Sequence, residues 1–123
     1  MITFRCESLG AEFAALRVEH ERVYASGKIK AANRIFDESR QVAEKLMACR
    51  EDRRAVLTAL LDHENEAVVL GAAVYLLPID EALAMAVLKK MDGHGVTPEH
   101  RISAYTCIRE WDAGNMKDIR MLA

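Results

Sequence analysis

The sequence predicts an all-α fold, a short α-α stack of about six helices in a single domain. Three observations carry that expectation. Apolar residues recur every three or four positions along the chain, which places them on one helical face. No window alternates apolar and polar residues, and valine and isoleucine never gather into a strand-like run. The two prolines and six glycines fall mostly where a helix should begin or end.

The first helix is expected over about 8–26, with Leu9, Phe13, Leu16, His20 and Val23 on its inner stripe. Gly27 stops it, because glycine takes the left-handed closing conformation at little cost. The second covers about 28–49, with Ile29, Phe36, Ala43, Leu46 and Met47 inward and Lys28, Lys30, Arg34 and Arg40 outward. These two form an N-terminal pair over 8–50. A pair over 52–78 follows, opened by Asp52 as cap and carrying Val56, Leu57, Leu60 and Leu61. After the turn Asp62-His63-Glu64, Asn65 caps a nearly all-apolar fourth helix that Pro78 ends. A second pair spans 80–112: Asp80 caps a helix closed by Lys89 and Lys90, and Asp92-Gly93-His94 forms the turn. Thr97-Pro98-Glu99 then opens a sixth helix carrying Ile102, Tyr105, Ile108 and Trp111 inward. Residues 113–123 form a tail, packed by Met116, Ile119 and Leu122 or frayed.

The chain has 123 residues, with 17 Lys and Arg against 19 Asp and Glu, a formal charge of −2. A chain of this length buries enough surface to fold as one domain without staples. With 51% hydrophobic and 29% charged residues it has a globular composition. The near-neutral balance speaks against nucleic acid as a partner, since that binding draws on a cationic excess. The longest uncharged run, Ala67 to Ile79, has 13 residues and is too short to cross a membrane. Cys6, Cys49 and Cys107 are an odd number without a CxxC spacing, and they read as reduced thiols. With no basic-then-apolar leader at the N-terminus, a cytoplasmic protein is expected.

The two later helix pairs echo one another. Leu61-Asp62 corresponds to Met91-Asp92 at an offset of 30, and Val69, Ala72 and Tyr75 correspond to Ile102, Tyr105 and Ile108 at an offset of 33. Such pairs suggest helical-solenoid repeats, each hairpin covering its neighbour's apolar face. From Ala32 to Gly114 the chain carries Asn33-Arg34-x-Phe36-Asp37, Arg54-Ala55-Val56-Leu57 and Leu60-Leu61-Asp62-His63-x-Asn65. It continues with Ala72-Ala73, Asp80-Glu81-Ala82 and Trp111 before Gly114. In these residues it resembles a bacterial family of short HEAT-like repeat proteins catalogued only as a domain of unknown function. The resemblance implies the helical-repeat fold and carries no catalytic residues.

Several residues are candidates for function. The fourth helix is apolar on all sides, so it is either enclosed or meets a partner through Val69, Val74 and Leu76, homo-oligomerisation being the simplest version. The acids Asp62, Glu64, Glu66, Asp92 and Glu99 gather around the turns, where an acidic edge can steer a basic protein. Residues 1–54 hold eleven basic and nine acidic groups, whereas 55–123 hold six and ten. His63 and His94 with Asp62 and Asp92 could converge on zinc, but no HxxH or HxxxH pair is present, so neither metal nor cofactor is expected. His20 reads as a packed side chain, and Cys49 and Cys107 lack His–acid companions at any nucleophile spacing.

The leading expectation is a non-catalytic protein–protein interaction module whose partner meets Asp62, His63, Glu64, Glu66, Asp92, Val69 or Val74. An immunity protein neutralising a basic toxin is a specific version, by analogy alone. The rival class is a small metal-dependent or histidine-dependent enzyme using His20 or the His63/His94 pair.

Overall fold

The computed structural model describes residues 3–123. Met1 and Ile2, the start of the segment in which no leader is expected, lie outside the described residues. Seven helices follow in order: α1 (Phe4–Ala25), α2 (Ile29–Met47), α3 (Arg53–Leu60), α4 (Glu66–Leu76), α5 (Glu81–His94), α6 (Pro98–Asp112) and the single turn α7 (Lys117–Arg120). Among the described residues there is no strand. Among the described residues no helix is long and apolar enough to cross a membrane.

Local chemistry sets most boundaries. Thr3 caps α1 by accepting from the Cys6 amide at 3.3 Å, one turn earlier than expected. Gly27, at φ +83°, takes the left-handed step that separates α1 from α2. The Asn65 side chain accepts from the Ala67 amide at 2.8 Å, Asp80 from Leu83 at 3.2 Å and Thr97 from His100 at 3.1 Å, with Pro98 at the first helical position. Asp52 stands at the start of α3 but does not cap it; its carboxylate accepts from the Thr3 amide at 3.1 Å and ties the chain's beginning to α3.

The expected turn at Asp92-Gly93-His94 is instead the last turn of α5, which runs past Lys89 and Lys90 to His94. The break falls at Gly95. Its amide closes on the Met91 carbonyl at 2.7 Å, and Arg101 donates to its carbonyl at 2.6 Å. A Cβ there would lie 2.7 Å from the Met91 oxygen and 2.9 Å from Arg101 Cγ, so only glycine lets the chain fold back so tightly. The two later pairs are therefore unequal, with eight residues in α3 against fourteen in α5.

The core is centred on α4, which packs against α1, α3, α5 and α6. Val68, Ala72, Ala73 and Leu76 are fully enclosed there, and Phe13, Leu46, Leu57, Leu77 and Leu88 close round them. Each such leucine contributes about 2–3 kcal/mol by leaving water. Four neighbouring helices thus cover most of this apolar surface, with Val69 and Val74 left half-buried. Trp111 plugs the far end of the core, with the Arg120 guanidinium 3.6 Å from its ring centroid. Met116, Ile119 and Leu122 pack on the core, so the tail is docked. Arg53 fastens it, donating to the Leu122 carbonyl at 2.7 Å and to Met47 at 3.1 Å.

Four inward assignments are corrected. On α6, Ala104 and Trp111 are buried with Cys107 and Ile108 half-buried, while Ile102 and Tyr105 are 64% and 47% exposed. Two apolar stripes share that helix, and periodicity alone does not choose between them. Ile29 lies beyond the end of α1 and is exposed, and Phe36, though on the α1-facing stripe of α2, borders an open cleft. The thiols are also not all free: Cys6 and Cys49 are joined as a disulfide, Cα to Cα 6.3 Å, leaving Cys107 unpaired. Nothing in their spacing signals this, because folding α1 back against the α2–α3 junction is what brings them together. Such bonds are rare in reducing compartments, so the cytoplasmic expectation loses the support that free thiols gave it.

Candidate functional site

Two regions of the surface have the makings of a site. The first is the edge formed by the α3–α4 and α5–α6 turns. Glu66 joins them: its carboxylate accepts from the Val96 amide at 2.9 and 3.0 Å and contacts His100 Nδ1 at 2.7 Å. His100 Nε2 lies 2.8 Å from Glu21 on α1, so one imidazole clasps α1, α4 and α6. An imidazole carrying both protons donates to both carboxylates. Burial alone would raise the Glu66 carboxyl, but the Val96 amide and His100 outweigh it and hold it below the ordinary range.

Around this clasp Asp62 and Glu64 are exposed, Asp92 is half-buried at the end of α5, and Glu99 is exposed on α6. His63 is half-buried, and its Nδ1 accepts from the Asn65 amide at 2.9 Å, which commits it to shaping the turn. Among the described residues no three His, Cys, Asp or Glu side chains are grouped to share a metal ion. Val96 is 82% exposed, its amide held by Glu66, and Ile102 is exposed one turn into α6. His100 had no sequence signal, because its partners lie 34 and 79 residues away.

The second region is a cleft of about 770 Å³ between α1, α2, α4, α6 and the tail. Val74 lines it, whereas Val69 is half-buried against the core. Arg17 reaches across the cleft from α1, its Nε donating to the Ala67 carbonyl at 3.3 Å and its guanidinium 5.8 Å from the Phe36 ring centroid. Burial drives Arg17 below the ordinary arginine value, the signature of a cation short of water. Gly71 makes room for it: a Cβ there would lie 2.9 Å from Phe13 Cζ and 3.0 Å from Arg17 Nε. Burial raises both the Tyr75 hydroxyl and the Cys107 thiol on the same walls, so both stay neutral. Met116 closes one side from a left-handed conformation, φ 59°, that non-glycine residues seldom hold.

His20 lies outside both regions, its ring centroid 5.5 Å from that of Phe36 and 6.0 Å from that of Tyr24. Burial and the neighbouring Arg17 lower its pKa and favour the neutral ring.

Residues 7–112 match the family described as domain of unknown function (DUF2019), and the chain belongs to that family. No curated protein and no solved structure matches it.

Proposed function

We propose that this DUF2019 domain is a non-catalytic, HEAT-like protein-interaction module whose partner meets the edge formed by the α3–α4 and α5–α6 turns. The HEAT-like reading rests on the order of packing, in which α3, α4, α5 and α6 follow one another in space as in sequence. The observation that carries the function is the Glu66 bridge to Val96. It ties the two turns together as one ledge, with Asp62 and Glu64 exposed on one and Val96 and Glu99 exposed on and just after the other. Acids and an exposed valine on joined turns suit a basic partner, steered by charge and anchored by the valine. A basic toxin held by its immunity protein is one partner of that kind. The commitment of His63 to its turn, and a Cys107 thiol that burial keeps protonated, favour binding over turnover.

Affinity capture from the native host, with mass spectrometry, tests this. The wild-type chain is expected to retain a basic protein that the Asp62→Lys/Glu64→Lys variant loses. With the purified partner, the variant should associate roughly tenfold more slowly or worse, with a weaker salt dependence. Identical association rates and salt dependence for the two chains would remove the acidic ledge as the contact.

A further inference from the structure

The cleft is independent of that ledge and has the properties of a ligand site. Its volume of about 770 Å³ lies within the range of small-molecule pockets, and its walls are mainly apolar, with Phe13, Phe36, Leu70 and Met116 among them. Into these walls the fold places one cation, Arg17, with no carboxylate hydrogen-bonded to it among the described residues. Only Nε of Arg17 is bonded within the protein, leaving the two terminal nitrogens free of protein partners among the described residues. The carboxylate nearest along its own helix, Glu21, is held by His100. Arg40, paired with Asp37 at 3.7 Å, and Lys117 stand on the same walls, and Asp118 is the one acid among the lining residues. The cleft is therefore cationic in a chain of net charge −2.

Holding this arrangement is costly. Gly71 forgoes a side chain so that Arg17 and Phe13 can lie against α4, and Met116 holds a disfavoured backbone conformation at the rim. An arginine needed only for packing would be ion-paired or would extend its head to bulk water.

We propose that the cleft binds a small organic carboxylate with an apolar, ring-sized body. The carboxylate oxygens accept from the terminal nitrogens of Arg17, whose planar fork matches a carboxylate as an ammonium does not. The body lies against Phe13, Phe36, Val74 and Met116, and Arg40 and Lys117 contribute long-range attraction. Concavity and a half-buried cation on its wall favour a small molecule over a protein strand, which would need backbone partners along an edge.

Naphthalene-2-carboxylate and its uncharged isostere naphthalene-2-carboxamide are suitable probes, followed by calorimetry and by backbone amide NMR. The acid is expected to bind at least about tenfold more tightly than the amide, as loss of a charge-assisted pair requires. The shifts should centre on the amides of Phe13, Gly71 and Cys107. In Arg17→Met the preference should fall below about twofold, while Arg22→Met, on the exposed side of the same helix, should match wild type. Circular dichroism shows whether Arg17→Met folds; if it does not, the acid–amide comparison on the wild-type chain decides alone. Equal affinity for acid and amide, shifts elsewhere on the molecule, or no binding at millimolar probe would each overturn the proposal.

Discussion

Glu66 shows how much one side chain can organise. It stands in the first turn of α4, where an acid suits the positive end of the helix dipole. The sequence makes that role legible. Its other partners, the Val96 amide and His100, come from the far side of a turn and another helix. Its folded pKa is depressed, so its contribution is present above the ordinary carboxyl pKa of about 4.3 and is lost as pH falls through the lower folded value. His20 is depressed too, and a histidine favoured in its neutral form contributes above about 6.5 and loses that contribution on acidification. Both groups therefore weaken the fold toward acid. Glu66→Gln is expected to cost about 1–2 kcal/mol at pH 7, with the difference from wild type shrinking below about pH 4. Urea unfolding across pH checks it; a difference that persists at acid pH would assign Glu66 a purely steric role.

At the scale of elements, capping and turn residues were readable one by one. Asn65, Asp80 and Thr97 each cap the helix their position in the chain suggests. What local signals missed was competition. Asp52 has the chemistry of a cap, but the Thr3 amide takes its carboxylate. Gly93 looks like a stop, but nothing crowds it and the helix continues to a glycine that the packing demands. Two glycine substitutions separate these cases. Gly93→Ala adds a methyl group to open space within a helix and should stabilise by about 0.5–1 kcal/mol. Gly10→Ala drives a Cβ into Val56 Cγ1 where α1 lies against α3, and should destabilise by about 1–3 kcal/mol. Thermal melts of the two variants moving the same way would contradict the packing.

For the whole molecule the Cys6–Cys49 bond matters most, because it closes a loop with a sequence separation of 43 that contains α2 and nearly all of α1. Restricting the unfolded chain over that span is worth up to about 4 kcal/mol in the chain-entropy account. Denatured protein kept from reductant is expected to show one reactive thiol, Cys107, and reduction should lower the urea midpoint accordingly. Three reactive thiols without reductant would show that the bond is not formed.

The amino-acid order by itself settled the helical class and most helix ends, because those follow from interactions within a few residues. That α4 is apolar on every side was legible too, but whether neighbours or a partner cover it was left to the tertiary structure. Tertiary structure decided which of two apolar stripes on α6 turned inward, which cysteines met, and where Arg17 and His100 found their surroundings. These outcomes depend on residues tens of positions apart being brought within a few ångströms, and periodicity along one helix holds no information about the neighbour it will meet.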